Sequence, residues 1–309
     1  MQKNKTLPLP FLPLPFKEPT YKTIGHRGAG LLAPENTLKS FNIAKKLGLT
    51  WVEFDIQPCE TGEWILMHDD TLDRSSNGKG LIAETPFEIL KKLKTGKEFS
   101  PNSFHEPIPL LSEALELLAR LELHPNIEIK SPVILPGKLA GGPTGNSAGN
   151  SAGSSAGSSA GSSTKSLASY STENSMTTNS LSTGKSLENL IEVIKKHWPS
   201  SAPPPLISSF DKEMLFEIKD RAPQFPIGYI IENLQKDTLD ILKKGNFFSL
   251  HCDYQQLSEE TLEALLLEPF PLLLYTVNDP RLAQDYFQKG VWAIFSDTPN
   301  FIAQSHLKV

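Results

Sequence analysis

Residues 51–69 read WVEFDIQPCETGEWILMHD. The first seven, Trp51–Gln57, are short, rich in β-formers and bounded by Pro58, so they read as a strand. Side chains two apart in a strand share a face, so Glu53 and Asp55 point the same way. A second short run, Trp64–His68, follows at once and ends in His68-Asp69.

Seven more runs of the same kind lie outside this stretch. They are Thr23–Gly28 (TIGHRG), Asn126–Lys130 (NIEIK), Leu206–Phe210 (LISSF), Ile227–Ile231 (IGYII), Phe247–Cys252 (FFSLHC), Leu272–Val277 (LLLYTV) and Val291–Asp297 (VWAIFSD). Most are apolar on both faces, as strands buried between a core and helices are. Amphipathic stretches alternate with them: Asn36–Leu47, Ser112–Leu121, Ser186–His197, Asp211–Asp220, Lys236–Lys244, Ser258–Leu267, Pro280–Lys289 and Thr298–Ser305. Several open on Ser, Thr or Asp, as N-caps do. Gly48, Gly245 and Gly290 follow helical stretches, where a left-handed residue is expected. Eight strand–helix units predict an α/β fold, a closed parallel (β/α)8 TIM barrel.

Two segments stand apart. Residues 1–20 carry Pro8, Pro10, Pro13 and Pro15 and read as an extended Pro-rich arm. Residues 137–185 contain a Ser-Ala-Gly repeat of period four and read as a disordered insertion after the third strand. The remainder, residues 21–309 without that insertion, is about 240 residues, near the roughly 250 of one barrel. Between the second strand and its helix, residues 69–109 read as a small cap.

Composition narrows the function. Lys plus Arg number 30 and Asp plus Glu 35, a net charge of −5, which disfavours a nucleic-acid surface. Two cysteines, Cys59 and Cys252, exclude a disulfide framework and read as inert thiols. The richest apolar run, Leu262–Val277, is cut by Glu263, Glu268, Pro269 and Pro271, so no transmembrane segment is expected. The expected location is cytoplasmic. Nothing in the sequence sets an oligomeric state.

Active sites of such barrels lie at the C-terminal ends of the strands. There the chain carries His26-Arg27, Glu53 and Asp55, His68, and Glu128 with Lys130. Three carboxylates on inward faces require pairing or a cation. One hard divalent ion with oxygen ligands, Mg²⁺ or Ca²⁺, answers that requirement. His26 and His68 are suited to proton transfer near neutral pH, and the Arg27 fork suits phosphate oxygens. His251, near the end of the sixth strand, is the other histidine to locate.

These residues sit in blocks that resemble the glycerophosphodiester phosphodiesterases: GHRGAGLLAPENTLKSF (25–41), VEFDIQPCETGEWILMHDDTLDRSSNGKG (52–80) and NIEIK (126–130). SSF (208–210), YTVN (275–278) and GVWAIFSDTPN (290–300) extend the match. The resemblance implies a TIM-barrel hydrolase that cleaves small glycerophosphodiesters to glycerol 3-phosphate and an alcohol. It implies a metal on Glu53, Asp55 and Glu128, and His26 with His68 as the acid/base pair. It puts Arg27, Lys130 and Tyr275 at the substrate. Tyr275 stands where the family often has Trp, Gln57-Pro58-Cys59 replaces a more polar run, and Ala293 replaces a common acidic residue. Two alternatives remain at this point: a related barrel phosphodiesterase acting on lysophospholipids, and a catalytically silent binding barrel.

Overall fold

The computed structural model describes residues 17–99, 105–130 and 176–306. Eight strands form the barrel: β1 Thr23–Gly25, β2 Trp51–Pro58, β3 His124–Ile129, β4 Leu206–Ser209, β5 Ile227–Ile231, β6 Ser249–Asp253, β7 Leu272–Tyr275 and β8 Ala293–Ser296. Each pairs in parallel with the next, and β1 pairs with both β2 and β8, which closes the sheet. The helices flanking the barrel are α1 Leu38–Lys46, α2 Leu111–Leu121, α3 Met176–His197, α4 Lys212–Arg221, α5 Thr238–Gly245, α6 Glu259–Leu266, α7 Pro280–Lys289 and α8 Pro299–His306; a single helical turn, Phe87–Leu90, lies in the insertion after β2.

Alternation along the strands divides the core in two. On β2, Phe54 and Ile56 face outward and join Phe41, Leu115, Ile127 and Leu215 in the layer between strands and helices. Trp51 faces inward and packs with Ile24, Leu206, Leu273, Trp292 and Phe295 in the barrel interior. Burying each such side chain stabilises the fold by about 1.5–3 kcal/mol. That apolar plug fills the N-terminal half of the barrel. The inward positions further along the same strands are left for Glu53, Asp55 and Glu128.

Local signals place the helix starts. The Thr37, Asp211 and Ser258 side chains accept the backbone N–H groups of Ser40, Met214 and Thr261, and Asp279 caps α7 with Pro280 at its first turn. Gly48 and Gly290 are left-handed as expected, at φ 80° and 114°. Gly245 is not. The left-handed residue after α5 is Asn246 at φ 46°. Gly245 is small for a different reason: a Cβ there would stand 2.4 Å from the Phe247 ring.

The strand after β2, Trp64–Leu66, pairs antiparallel to it, with Ile56 opposite Leu66. It opens the cap, which packs on a small core of Ile65, Met67, Leu72, Ile82, Leu90 and Ile108 and carries a two-stranded ribbon, Lys94–Thr95 with Glu106–Pro107. α3 starts ten residues before the predicted Ser186, inside the stretch assigned to the insertion. Its first turns are dominated by Thr, Ser, Asn and Gly, weak helix formers that composition alone assigns elsewhere. The rest of that insertion, 137–175, lies outside the described residues, as does the arm over 1–16. Residues 17–20 are tied to the barrel: Trp51 Nε1 donates to Lys17 O at 3.1 Å, and Thr20 N donates to Thr50 Oγ1 at 2.8 Å. Both cysteines are free and buried, Cys59 in the cap core and Cys252 in the helix-facing layer, so they form no pair. No helix among the described residues is long and apolar enough to cross a membrane.

Candidate active site

β1 ends at Gly25, and the chain turns sharply across the C-terminal mouth of the barrel. Arg27 takes a left-handed conformation at φ 52°, and Gly28 follows at φ 102°. A Cβ on Gly28 would stand 2.1 Å from Ser40 Oγ, so this turn and the start of α1 approach too closely for any other residue. The turn aims the Arg27 N–H at Glu53 Oε2, 2.9 Å away. It also sets the Arg27 guanidinium between Glu35, at 3.0 Å, and Asp55, at 3.5 Å.

Register does the rest. Asp55 on β2 stands opposite Glu128 on β3. Glu53, Asp55 and Glu128 bring carboxylate oxygens within 4.8 Å of one another. Lys130 Nζ lies 2.9 Å from Asp55 Oδ1 and also donates to Glu128 Oε1. Asn36, left-handed at φ 54°, clasps Asp55 on two sides: Asn36 Nδ2 donates to Oδ2 at 2.9 Å, and the Asp55 N–H donates to Asn36 Oδ1 at 3.0 Å.

The three acids differ electrostatically. Burial raises Glu53, the neighbouring Asp55 charge adds to it, and its pKa reaches about 8. Burial and Asp55 raise Glu128 in the same direction. For Asp55, burial is outweighed by Lys130 and Arg27, which hold it well below the usual carboxylate range. Glu53 Oε1 is buried with no hydrogen-bond partner among the described residues. Such an orphaned oxygen in a carboxylate cluster is the place a cation would fill.

Each histidine is held through Nδ1. His26 Nδ1 lies 2.6 Å from Asp297 Oδ1 at the end of β8, with His26 Nε2 3.9 Å from Glu53 Oε2. His68 Nδ1 lies 2.8 Å from Asp69 Oδ1. A carboxylate on Nδ1 makes that nitrogen the donor and leaves Nε2 for the cavity. For His26, burial opposes the charged form, but Asp297 and Glu53 outweigh it and its pKa rises. For His68, burial prevails over Asp55, with Lys130 and Arg27 adding to it, and its pKa falls.

These groups line a cavity of about 230 Å³, with Phe210, Tyr275 and His251 completing it. Tyr275 is edge-on to Phe210 at 6.4 Å and donates its hydroxyl to Ile231 O at 2.9 Å. Thus all eight sequence-predicted site residues meet in one cavity. His251 lies on its floor, 2.9 Å from Ser249 Oγ; burial lowers its pKa to about 3, so it stays neutral and is no proton shuttle. A larger cavity of about 520 Å³ opens at the opposite end, beneath Trp51 and Trp198. We place the chemistry in the smaller one because it holds the paired acids and histidines.

The supporting residues are not evident from the sequence. Asp297 is the exception: it directly follows β8, so the strand-end rule reaches it. Asn278 does not announce itself: its side chain accepts the Asp297 N–H at 2.8 Å and donates to Asp297 Oδ2 at 3.2 Å. Glu35, Asn36 and Arg74 likewise carry no strand-end signal.

Comparison with known proteins returns phosphodiesterases. Residues 26–153 match the Glycerophosphoryl diester phosphodiesterase family. A glycerophosphodiester phosphodiesterase of Caldanaerobacter subterraneus is 27% identical over 276 residues, covering 89% of this chain and 93% of the relative. One of Bacillus subtilis is 26% identical over 296 residues, covering 90% of this chain and 84% of the relative. Among solved structures, a phosphodiesterase of Oleispira antarctica in complex with the product sn-glycerol 3-phosphate superposes with a TM-score of 0.72 at 28% identity, covering 93% of this chain and 96% of that one. The family match, the two full-length relatives and the product-bound structure all liken the chain to the glycerophosphoryl diester phosphodiesterase family.

Proposed function

We propose that the protein hydrolyses glycerophosphodiesters to glycerol 3-phosphate and an alcohol, using a divalent cation and a pair of histidines. The hydrolase assignment rests on the likeness to that family. The finer reading rests on one observation: three carboxylates and two Nδ1-anchored histidines converge on one cavity at the strand C-termini. The product held by the Oleispira phosphodiesterase supports a small glycerol-phosphate ligand.

Glu53, Asp55 and Glu128 would hold the cation, either Mg²⁺ or Ca²⁺. Their fit is supported by the unpartnered Glu53 Oε1 and by the burial and like-charge crowding that push the Glu53 pKa up to about 8. When bound, such an ion neutralises the cluster and polarises a phosphoryl oxygen. Arg27 and Lys130 supply further positive charge for the phosphate, and Phe210 with Tyr275 forms an apolar wall for the carbon skeleton. His68, with its lowered pKa, takes the proton from the attacking hydroxyl, the glycerol oxygen next to the phosphate, and the cyclic phosphate so formed is then opened by water to glycerol 3-phosphate. His26, with its raised pKa, gives one to the leaving alcohol oxygen. Opposed pKa directions in one site are what an acid/base pair requires.

Purified protein given glycerophosphocholine with Mg²⁺ or Ca²⁺ should release glycerol 3-phosphate, and EDTA should stop it. His26→Ala and His68→Ala should each lose at least about 10²-fold in kcat, the lower end of general acid–base contributions, while staying folded. Turnover surviving both substitutions refutes the acid/base assignment.

A further inference from the structure

Arg74 belongs to the cap, has a side chain 41% exposed, and does not line the catalytic cavity. Its guanidinium nevertheless uses two edges. Nε and Nη2 donate to the Asp69 carboxylate at 2.6 and 3.0 Å. Nη1 and Nη2 donate to Glu35 at 3.1 and 2.6 Å. Asp69 is the group that holds His68 Nδ1, at 2.8 Å. Glu35 is the group that accepts from Arg27 Nη1, at 3.0 Å. One cap side chain therefore cross-links the support of a histidine to the support of the phosphate-facing arginine.

We infer that Arg74 is a positioning residue, fixing His68 and Arg27 relative to one another through Asp69 and Glu35. The inference rests on the hydrolase reading above. Among the described residues the Asp69 carboxylate meets two partners, His68 and Arg74, and that of Glu35 meets two, Arg27 and Arg74. Without Arg74 each carboxylate keeps one anchor and can rotate, and the group it supports moves with it. Only a planar fork can present paired N–H donors to two carboxylates on separate edges; a lysine ammonium cannot. Ion pairs this exposed contribute about 0–1 kcal/mol to stability, so the network's consequence should lie in placement and not in folding.

The test uses the full chain loaded with Mg²⁺ and glycerophosphocholine. Arg74→Ala should leave the thermal midpoint close to wild type. It should lower kcat through His68 and raise KM through Arg27, with kcat/KM falling about 10–100-fold, the usual effect of losing an outer supporting partner. Arg74→Lys should not restore activity. Added guanidinium ion should partly restore Arg74→Ala, and sodium chloride at equal ionic strength should not. Wild-type kcat and KM in Arg74→Ala, or full activity in Arg74→Lys, overturns the proposal. A second readout does not depend on the substrate. The His68 ring Nδ1–H signal in NMR spectra, assigned with His68→Ala, should broaden in Arg74→Ala. If it is unchanged, the inference fails even where hydrolysis is found. If wild type turns over no glycerophosphodiester but the signal broadens, the substrate reading fails and the positioning role stands.

Discussion

Glu53→Gln should make the cation-free protein more stable while abolishing its response to a cation. In the folded protein Glu53 keeps its proton up to about pH 8, against an ordinary value of 4.5, because it is buried beside ionised Asp55. Between those values the folded state binds more protons than the unfolded state, so stability falls as pH rises through that window. At pH 7 the difference is about 3 kcal/mol, because each pH unit above the ordinary value costs about 1.4 kcal/mol. Glutamine keeps the shape and removes the titration. At about 2–4 °C per kcal/mol for a domain of this size, the EDTA-treated variant should melt roughly 6–12 °C higher than wild type at pH 7. The gap should shrink toward zero near pH 4.5. Mg²⁺ or Ca²⁺ should stabilise wild type increasingly as pH rises and leave the variant unmoved, since a cation binding only the folded state stabilises by mass action. Thermal denaturation followed by circular dichroism, with and without EDTA from pH 4.5 to 8, measures all of this. A variant no more stable than wild type at pH 7 in EDTA, or a wild type indifferent to both cations, refutes the account of the cluster.

Asp297→Asn removes one of the two charges that together outweigh burial at His26, so the His26 pKa should fall. A hydrogen bond to a charged group contributes about 1.5–3 kcal/mol, so the alkaline limb of the kcat profile, at fixed cation concentration, should move toward lower pH by about 1–2. An unmoved limb excludes His26 as the acid. Asn36→Ala leaves the buried Asp55 N–H without its acceptor and puts alanine at φ 54°. It should cost about 2–4 kcal/mol in urea denaturation, from the unpaired group and the left-handed backbone together. Gly28→Ala should fold poorly or not at all, because its methyl group would meet Ser40 Oγ at 2.1 Å; soluble, fully active Gly28→Ala would show that the turn can relax.

What is legible in the sequence is local and periodic. Glu53 with Asp55, and Glu128 with Lys130, declare a shared face because the strand period is two, and the register that sets Asp55 beside Glu128 only completes that pattern. The cap is legible as a long interval with its own strand. The left-handed residue after α5 is not, because Gly245 answers to the Phe247 ring and leaves the turn to Asn246. The start of α3 is not, because its first turns carry weak helix formers. Asn36 hides for another reason: an Asn before a helix reads as a cap, whereas here Thr37 is the cap and Asn36 holds a carboxylate on the neighbouring strand.

The partners of the histidines expose a deeper division. His26 and Asp297 are 271 residues apart and meet only because β8 pairs with β1 and closes the barrel, with Thr23 opposite Ile294 and Gly25 opposite Ser296. Arg74 and Glu35 are 39 residues apart and meet only because the cap folds back over the mouth. Strand ends tell which groups can reach the cavity. Which group orients which depends on closure and on the cap, and apart from Asp69 beside His68 these partners lie far along the chain from the groups they support. His26 is supported by the closing strand and clamped there by Asn278, whereas His68 is supported through a half-exposed cap arginine. A perturbation of the cap should therefore act on His68 and spare His26, and loosening the β1–β8 seam should do the reverse.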